Sequence, residues 1–254
     1  IQEGVFIPVS NFSSLITTSQ TVSNGAFIIH GITNEKIKSA PTFHSVMGMM
    51  QTWMSETIAS SGCKGTVFIA HNGSKFDDII MFCNLTKQAM RFDTFMSNMH
   101  CVGFLDSLKM FKGLSKRHTT CTPRDKTKKV SFTLNNCFAT FCGRGDIEGA
   151  HDALVDTQTI IDIFNSDIIR CKIDLHTLFE FVVKLHTKIN SLKQSSGLLC
   201  QRKFDAMCEE DTTNAIMFPK NKRVKLTTVA SAFNNHMKVD GFCLHCVASA
   251  CLAF

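Results

Sequence analysis

The chain has 254 residues, 44% of them hydrophobic and 19% charged, a balance that excludes a disordered polymer and can bury the core of one large domain or a medium one with an appendage. Its formal net charge of +6 suits an anionic partner such as nucleic acid. No apolar run approaches the ~20 residues that cross a bilayer, so no membrane partner is expected.

In chain order, Gln2 to Ser10 and Ser13 to Thr18 are rich in β-branched and aromatic residues and predict two short strands around Asn11. His30-Gly31-Ile32-Thr33 predicts the end of a loop, with Thr33 or Asn34 capping a short helix. From Pro41 to Ala59, Phe43, Val46, Met47, Met50, Trp53 and Met54 recur at helical spacing. Thr66 to Ala70 is a compact apolar strand, stopped by His71-Asn72-Gly73 and followed by a helix from Lys75 to about Met90. Cys101 to Leu105 predicts another strand, and strands alternating with helices argue for an α/β layer fold. Residues 112–130, basic and rich in Ser and Thr, read as a mobile surface loop, or more sharply as a loop facing nucleic acid. Phe132 to Phe141 predicts a helix closed by Gly143, and a helix carrying His151 and Asp156 is expected to run to about Ile169. Leu175 to Leu192 again has helical spacing, with polar, loop-like stretches after it.

The twelve cysteines are scattered through apolar runs, as at Cys83, Cys101, Cys137 and Cys142, and read as buried free thiols of an intracellular protein. Lys220, Lys222, Arg223 and Lys225 lie in a Pro-Lys-Asn-Lys-Arg-Val-Lys-Leu run that resembles a nuclear localisation signal, although an ordinary basic loop looks the same. Cys243-Leu244-His245-Cys246, with Cys251, offers half of a zinc pattern that Cys208 or His236 could extend; buried thiols in an apolar tail are the plainer alternative.

Two segments carry chemistry. Phe68 to Phe82 places Asp77 where an apolar strand and its turn give way to a helix, and Gly149 to Phe164 holds His151 and Asp156 within an apolar, helix-period pattern. Hydrolysis of a phosphodiester needs a deprotonated water and a stabilised leaving oxyanion. Carboxylates holding two divalent ions and a neutral imidazole taking a proton would supply both. In isolation, an Asp at a helix start is usually a cap or a dipole partner, and a helical His is usually satisfied or solvated. Asp78, Asp152 and Asp162 read as solvated helix charges.

Together these segments, over roughly residues 1–168, resemble the second and third motifs of the DEDDh (DnaQ-like) 3′–5′ exonucleases of the ribonuclease-H-like superfamily. The resemblance implies an α/β fold with a mixed five-stranded sheet flanked by helices in residues 1–170, followed by a mainly helical or irregular extension in 171–254. It further implies Asp77 and Asp156 as ligands of two Mg²⁺ or Mn²⁺ ions, and His151 as general base. His71, Asn72, His30 and Gly31 would grip the terminal nucleotide, while Leu105-Asp106-Ser107-Leu108 matches a strand end whose aspartate holds no metal. The expected substrate is a single-stranded 3′ end, DNA in preference to RNA.

The family's first motif, an Asp-x-Glu on the central strand, finds no match; Glu3 has no aspartate two positions before it. The expectation is a fragment that begins after that motif, with weak metal binding, open edges beside the absent strand, and an inactive or aggregating product. The rival reading is an exonuclease fold kept for binding nucleic acid or protein, similar to the exonuclease-like region of promyelocytic leukaemia proteins.

Overall fold

A computed structural model of the chain describes residues 5–194 and 251–253. Residues 6–18 form neither of the expected strands. Phe6 instead donates its N–H to Asn165 Oδ1 and accepts from Asn165 Nδ2, both at 2.8 Å, while its ring stacks on Phe164 at 4.8 Å. One side-chain amide thus takes the place of a neighbouring strand.

Helix α1 (Asn24–His30), which the sequence did not announce, starts on Ser23 and ends on Gly31. Helix α2 (Asn34–Lys38) is capped by the Thr33 hydroxyl as expected. Helix α3 (Phe43–Ser61) buries Val46, Met47, Met50, Met54 and Ile58, its predicted stripe. Strand β1 (Thr66–Ala70) is buried along its whole length, and helices α4 (Asp77–Lys87) and α5 (Phe92–Asn98) lead to strand β2 (Cys101–Asp106).

Residues 112–130 are not one long loop. Helix α6 (Ser107–Arg117) takes the first part and a 3₁₀ turn (Thr119–Cys121) the next. Buried Met110, Phe111 and Leu114 recur at helical spacing beneath the lysines, so the charge run up to Arg117 is the outer face of an amphipathic helix. Helix α7 (Leu134–Cys142) ends at Gly143, whose φ of 64° is the left-handed cap predicted for it.

Helix α8 (Ala153–Asn165) starts two residues after His151, and α9 (Asp167–Arg170) follows separately. The expected helix from Leu175 to Leu192 is interrupted: α10 (Leu175–Glu180) gives way to strand β3 (Val182–Lys184), and helix α11 occupies 185–194. β3 forms because β2 offers an edge, pairing Gly103 with Lys184 and Leu105 with Val182. Gly103 makes this possible, since a Cβ there would stand 2.7 Å from the Val183 carbonyl oxygen.

The protein is α/β, with a sheet of order β3-β2-β1-β4 among the described residues, where β4 is Cys251–Ala253. β1 and β2 are parallel, and both outer pairings are antiparallel. The second edge of β1 carries β4 in the register Thr66 to Ala253. An apolar strand with unpaired N–H and C=O groups recruits whatever extended segment reaches it.

Two apolar layers flank the sheet. Phe68 and Phe104 face a cluster with α3, α4 and α5, while Val67, Ile69 and Leu105 face one with α6, α7 and α8. Leu192 packs in the first layer and Leu178 in the second, so residues beyond 170 contribute to both.

Candidate functional site

Because β1 and β2 are parallel and in register, Ala70 and Asp106 end at the same edge. Open α/β sheets place their crevices at such an edge. The turn after β1 is fastened there by Asp106. Its Oδ1 accepts from the backbone N–H of Asn72 at 3.0 Å and of Leu108 at 3.1 Å, and its Oδ2 accepts from the Ser74 hydroxyl at 2.5 Å. Asp106 is therefore the N-cap of α6 and the clamp of the neighbouring turn. That suits the non-metal role the sequence suggested.

His71 is locked from both sides. Its Nε2 lies 2.8 Å from the Phe132 carbonyl oxygen, which can only accept, so Nε2 carries the proton and Nδ1 accepts from the Ser107 hydroxyl at 3.0 Å. Burial holds the ring below its ordinary pKa. Both nitrogens are engaged in fixing the strand-end turn. Asn72 next to it sits at φ 66°, a left-handed conformation that asparagine tolerates better than most residues. Gly73 lets the turn close against β1, for a Cβ there would lie 2.7 Å from Ala70 Cβ.

The turn delivers Asp77 as the first residue of α4, next to the strand ends. Asp78, read from sequence as a solvated charge, is buried and paired with Lys188 of α11, their side chains only 10% and 8% exposed. Burial pushes the Asp78 carboxyl upward and the Lys188 ammonium offsets part of that. Sequence offered no signal for the pair, since the partners lie far apart in the chain. Asp162 also differs from the expectation of a free charge, meeting Arg144 at 3.3 Å, and Asp152 is the N-cap of α8, accepting from Leu154 and Val155.

His151 is not on that helix. It is exposed, at φ 75°, in the turn before Asp152. The capping aspartate was the signal that the helix begins later. His151 and Asp156 nevertheless meet: the His151 N–H donates to Asp156 Oδ1 at 3.4 Å. Burial raises the Asp156 carboxyl above its usual range, and that N–H offsets the rise in part.

His30 ends α1 and Gly31 is its left-handed cap, beside a small separate cluster of Val22, Ala26 and Ile37. His30 Nδ1 accepts from the Ile32 N–H at 3.0 Å, so Nε2 carries the proton; that buried donor has no hydrogen-bond partner among the described residues.

Cys83, Cys101, Cys121 and Cys137 are buried free thiols, Cys101 and Cys137 pushed up to about 12 by burial, whereas Cys171 is exposed. Lys220, Lys222, Arg223 and Lys225 lie outside the described residues, as do Cys208, His236, Cys243 and Cys246.

The parts come together unevenly. Asp77 opens a helix of one apolar layer and Asp156 sits in the first turn of a helix of the other. Among the described residues no three His, Cys, Asp or Glu side chains stand together as metal ligands, so these residues alone do not fit a complete two-ion centre. Among them, too, no helix is long and apolar enough to cross a membrane. No protein-family model matches this chain, and no curated protein sequence matches it.

Proposed function

We propose that the chain carries two motifs of a DEDDh-type 3′–5′ exonuclease with a ribonuclease-H-like, five-stranded sheet. The reaction is hydrolysis at the 3′ end of a single-stranded nucleic acid, DNA in preference to RNA. Water adds to phosphorus, the bond to the 3′ oxygen breaks, and a nucleoside 5′-monophosphate leaves. Mg²⁺ or Mn²⁺ is the cofactor this reading implies, with Asp77 and Asp156 as two of the carboxylates that would hold it. His151 takes the proton of the attacking water. Asn72, the orphan donor of His30 and the Gly31 turn position the terminal nucleotide, while His71 holds the turn that presents Asn72.

The observation that carries the reading is the turn before α8. It exposes an imidazole in a conformation unfavourable for a non-glycine residue and ties its backbone to a carboxylate partly withdrawn from water. The test uses 5′-labelled single-stranded DNA with Mg²⁺ or Mn²⁺ and the full chain. His151→Ala should lower turnover by about 10²–10⁴-fold while DNA affinity changes less than about twofold. Near-normal turnover removes His151 from the chemistry.

A second reading, an exonuclease fold retained for binding, is favoured by the lack of a third ligand beside Asp77 or Asp156 among the described residues. It requires DNA affinity without metal-dependent turnover in the same assay. Entry into the nucleus through residues 220–225 is proposed on sequence alone.

A further inference from the structure

We propose that Lys109, Lys112 and Lys116 of α6 form a track for the sugar–phosphate backbone of a single-stranded nucleic acid. This deepens the exonuclease reading, and rests on it, by giving the strand behind the terminal nucleotide a path away from the strand-end edge.

The three residues are spaced i, i+3 and i+7, so they share one helix face and span about 10 Å along it. All are exposed, while Met110, Phe111 and Leu114 bury the opposite face. No acidic residue lies between Ser107 and Arg117, and among the described residues no ion pair engages these three lysines.

Neighbouring cations differ. Arg117 meets Glu180 at 2.8 Å, Lys126 meets Asp146 at 3.1 Å, and Arg144 meets Asp162 at 3.3 Å. Within α6 the lysines without an ion pair therefore share one stripe, while Lys36, Lys38 and Lys64 are exposed elsewhere. That stripe begins at the strand-end edge, because the N-cap of α6 is Asp106, which also clamps the turn at Asn72 and Ser74. Lys112 lies 5.9 Å over the ring of Phe132, whose carbonyl holds His71. A row of ammonium groups without ion pairs, running from the strand-end edge, matches a polyanion whose end lies at that edge.

The test measures binding of a 5′-fluorescein-labelled oligothymidylate to the whole chain by anisotropy, in EDTA, across a salt series. The triple variant Lys109→Gln, Lys112→Gln, Lys116→Gln should weaken binding at least about tenfold at 0.1 M salt and reduce the log–log salt slope by about 2. The control Lys36→Gln, Lys38→Gln, Lys64→Gln removes three exposed lysines elsewhere and should leave the slope within about 0.5. An unchanged slope in the first triple, an equal loss in both, or equal affinity of the parent chain for polyglutamate overturns the proposal. EDTA removes turnover from the measurement. A slope effect in a parent chain that releases no nucleotide from single-stranded DNA with Mg²⁺ or Mn²⁺ would therefore sink the exonuclease reading alone, and turnover without a slope effect would sink the track alone.

Discussion

Two turns precede the two helices that carry the candidate aspartates, and they are built differently. The turn at 71–74 is held by groups from three other elements: Asp106 takes its N–H groups and a hydroxyl, Ser107 and Phe132 fix His71, and Lys188 meets Asp78 one residue past Asp77. The turn at 149–152 is held chiefly by its own chain, through Asp152 capping α8 and Asp156 accepting the His151 N–H. One is locked by tertiary contacts and the other is locally folded and exposed. Such a division suits a site in which one side presents a rigid platform and the other adjusts to what is bound.

The sharpest way to break that comparison is to unlock the first turn. Lys188→Met leaves the Asp78 carboxylate buried without its cation and should cost about 3–5 kcal/mol in a urea melt, with Asp78→Asn/Lys188→Met recovering most of it. A loss under about 1 kcal/mol would mean the pair is not a lock.

A smaller effect of opposite sign is expected at the second turn. Burial raises the folded-state pKa of Asp156, so its contribution is present below about pH 4 and is lost as pH rises through the folded value. Asp156→Asn should therefore raise the unfolding midpoint near pH 7 by roughly 1–2 °C, lose that advantage near pH 3, and still abolish the proposed turnover. A variant less stable at neutral pH would contradict the desolvation argument.

The smallest effect concerns strain. His151→Gly relieves a φ of 75° but loosens the unfolded chain, for a net gain of about 0–1 kcal/mol. A loss above about 1 kcal/mol would show that the imidazole packs, removing the contrast between the turns.

Where pattern and partner lie close together, reading the chain was enough. β1 was legible because the apolar run Val67 to Ala70 ends at a His-Asn-Gly turn, α3 because its methionines recur at helical spacing, and the ends of α2 and α7 because Thr33 and Gly143 carry their caps in the side chain or in the freedom of φ. His151 and Asp156 were expected on one helix; instead His151 precedes it and its backbone N–H meets the Asp156 carboxylate. A helix-period pattern does not reveal that the chain enters through a cap at Asp152.

Residues 182–184 are read as helix in isolation and become a strand because β2 has an edge to fill; residues 6–18 have strand composition but dock through Asn165 instead. Asp78 looks like one more surface charge until Lys188 arrives from more than a hundred residues away. Composition, periodicity and caps thus determined most of the element types and the strands β1 and β2. Tertiary structure alone decided which edges are paired, which charges are buried, and which lysines stay unneutralised. Each of those depends on groups distant in the chain, and no local pattern encodes a hydrogen bond or a Coulomb contact whose partner is elsewhere.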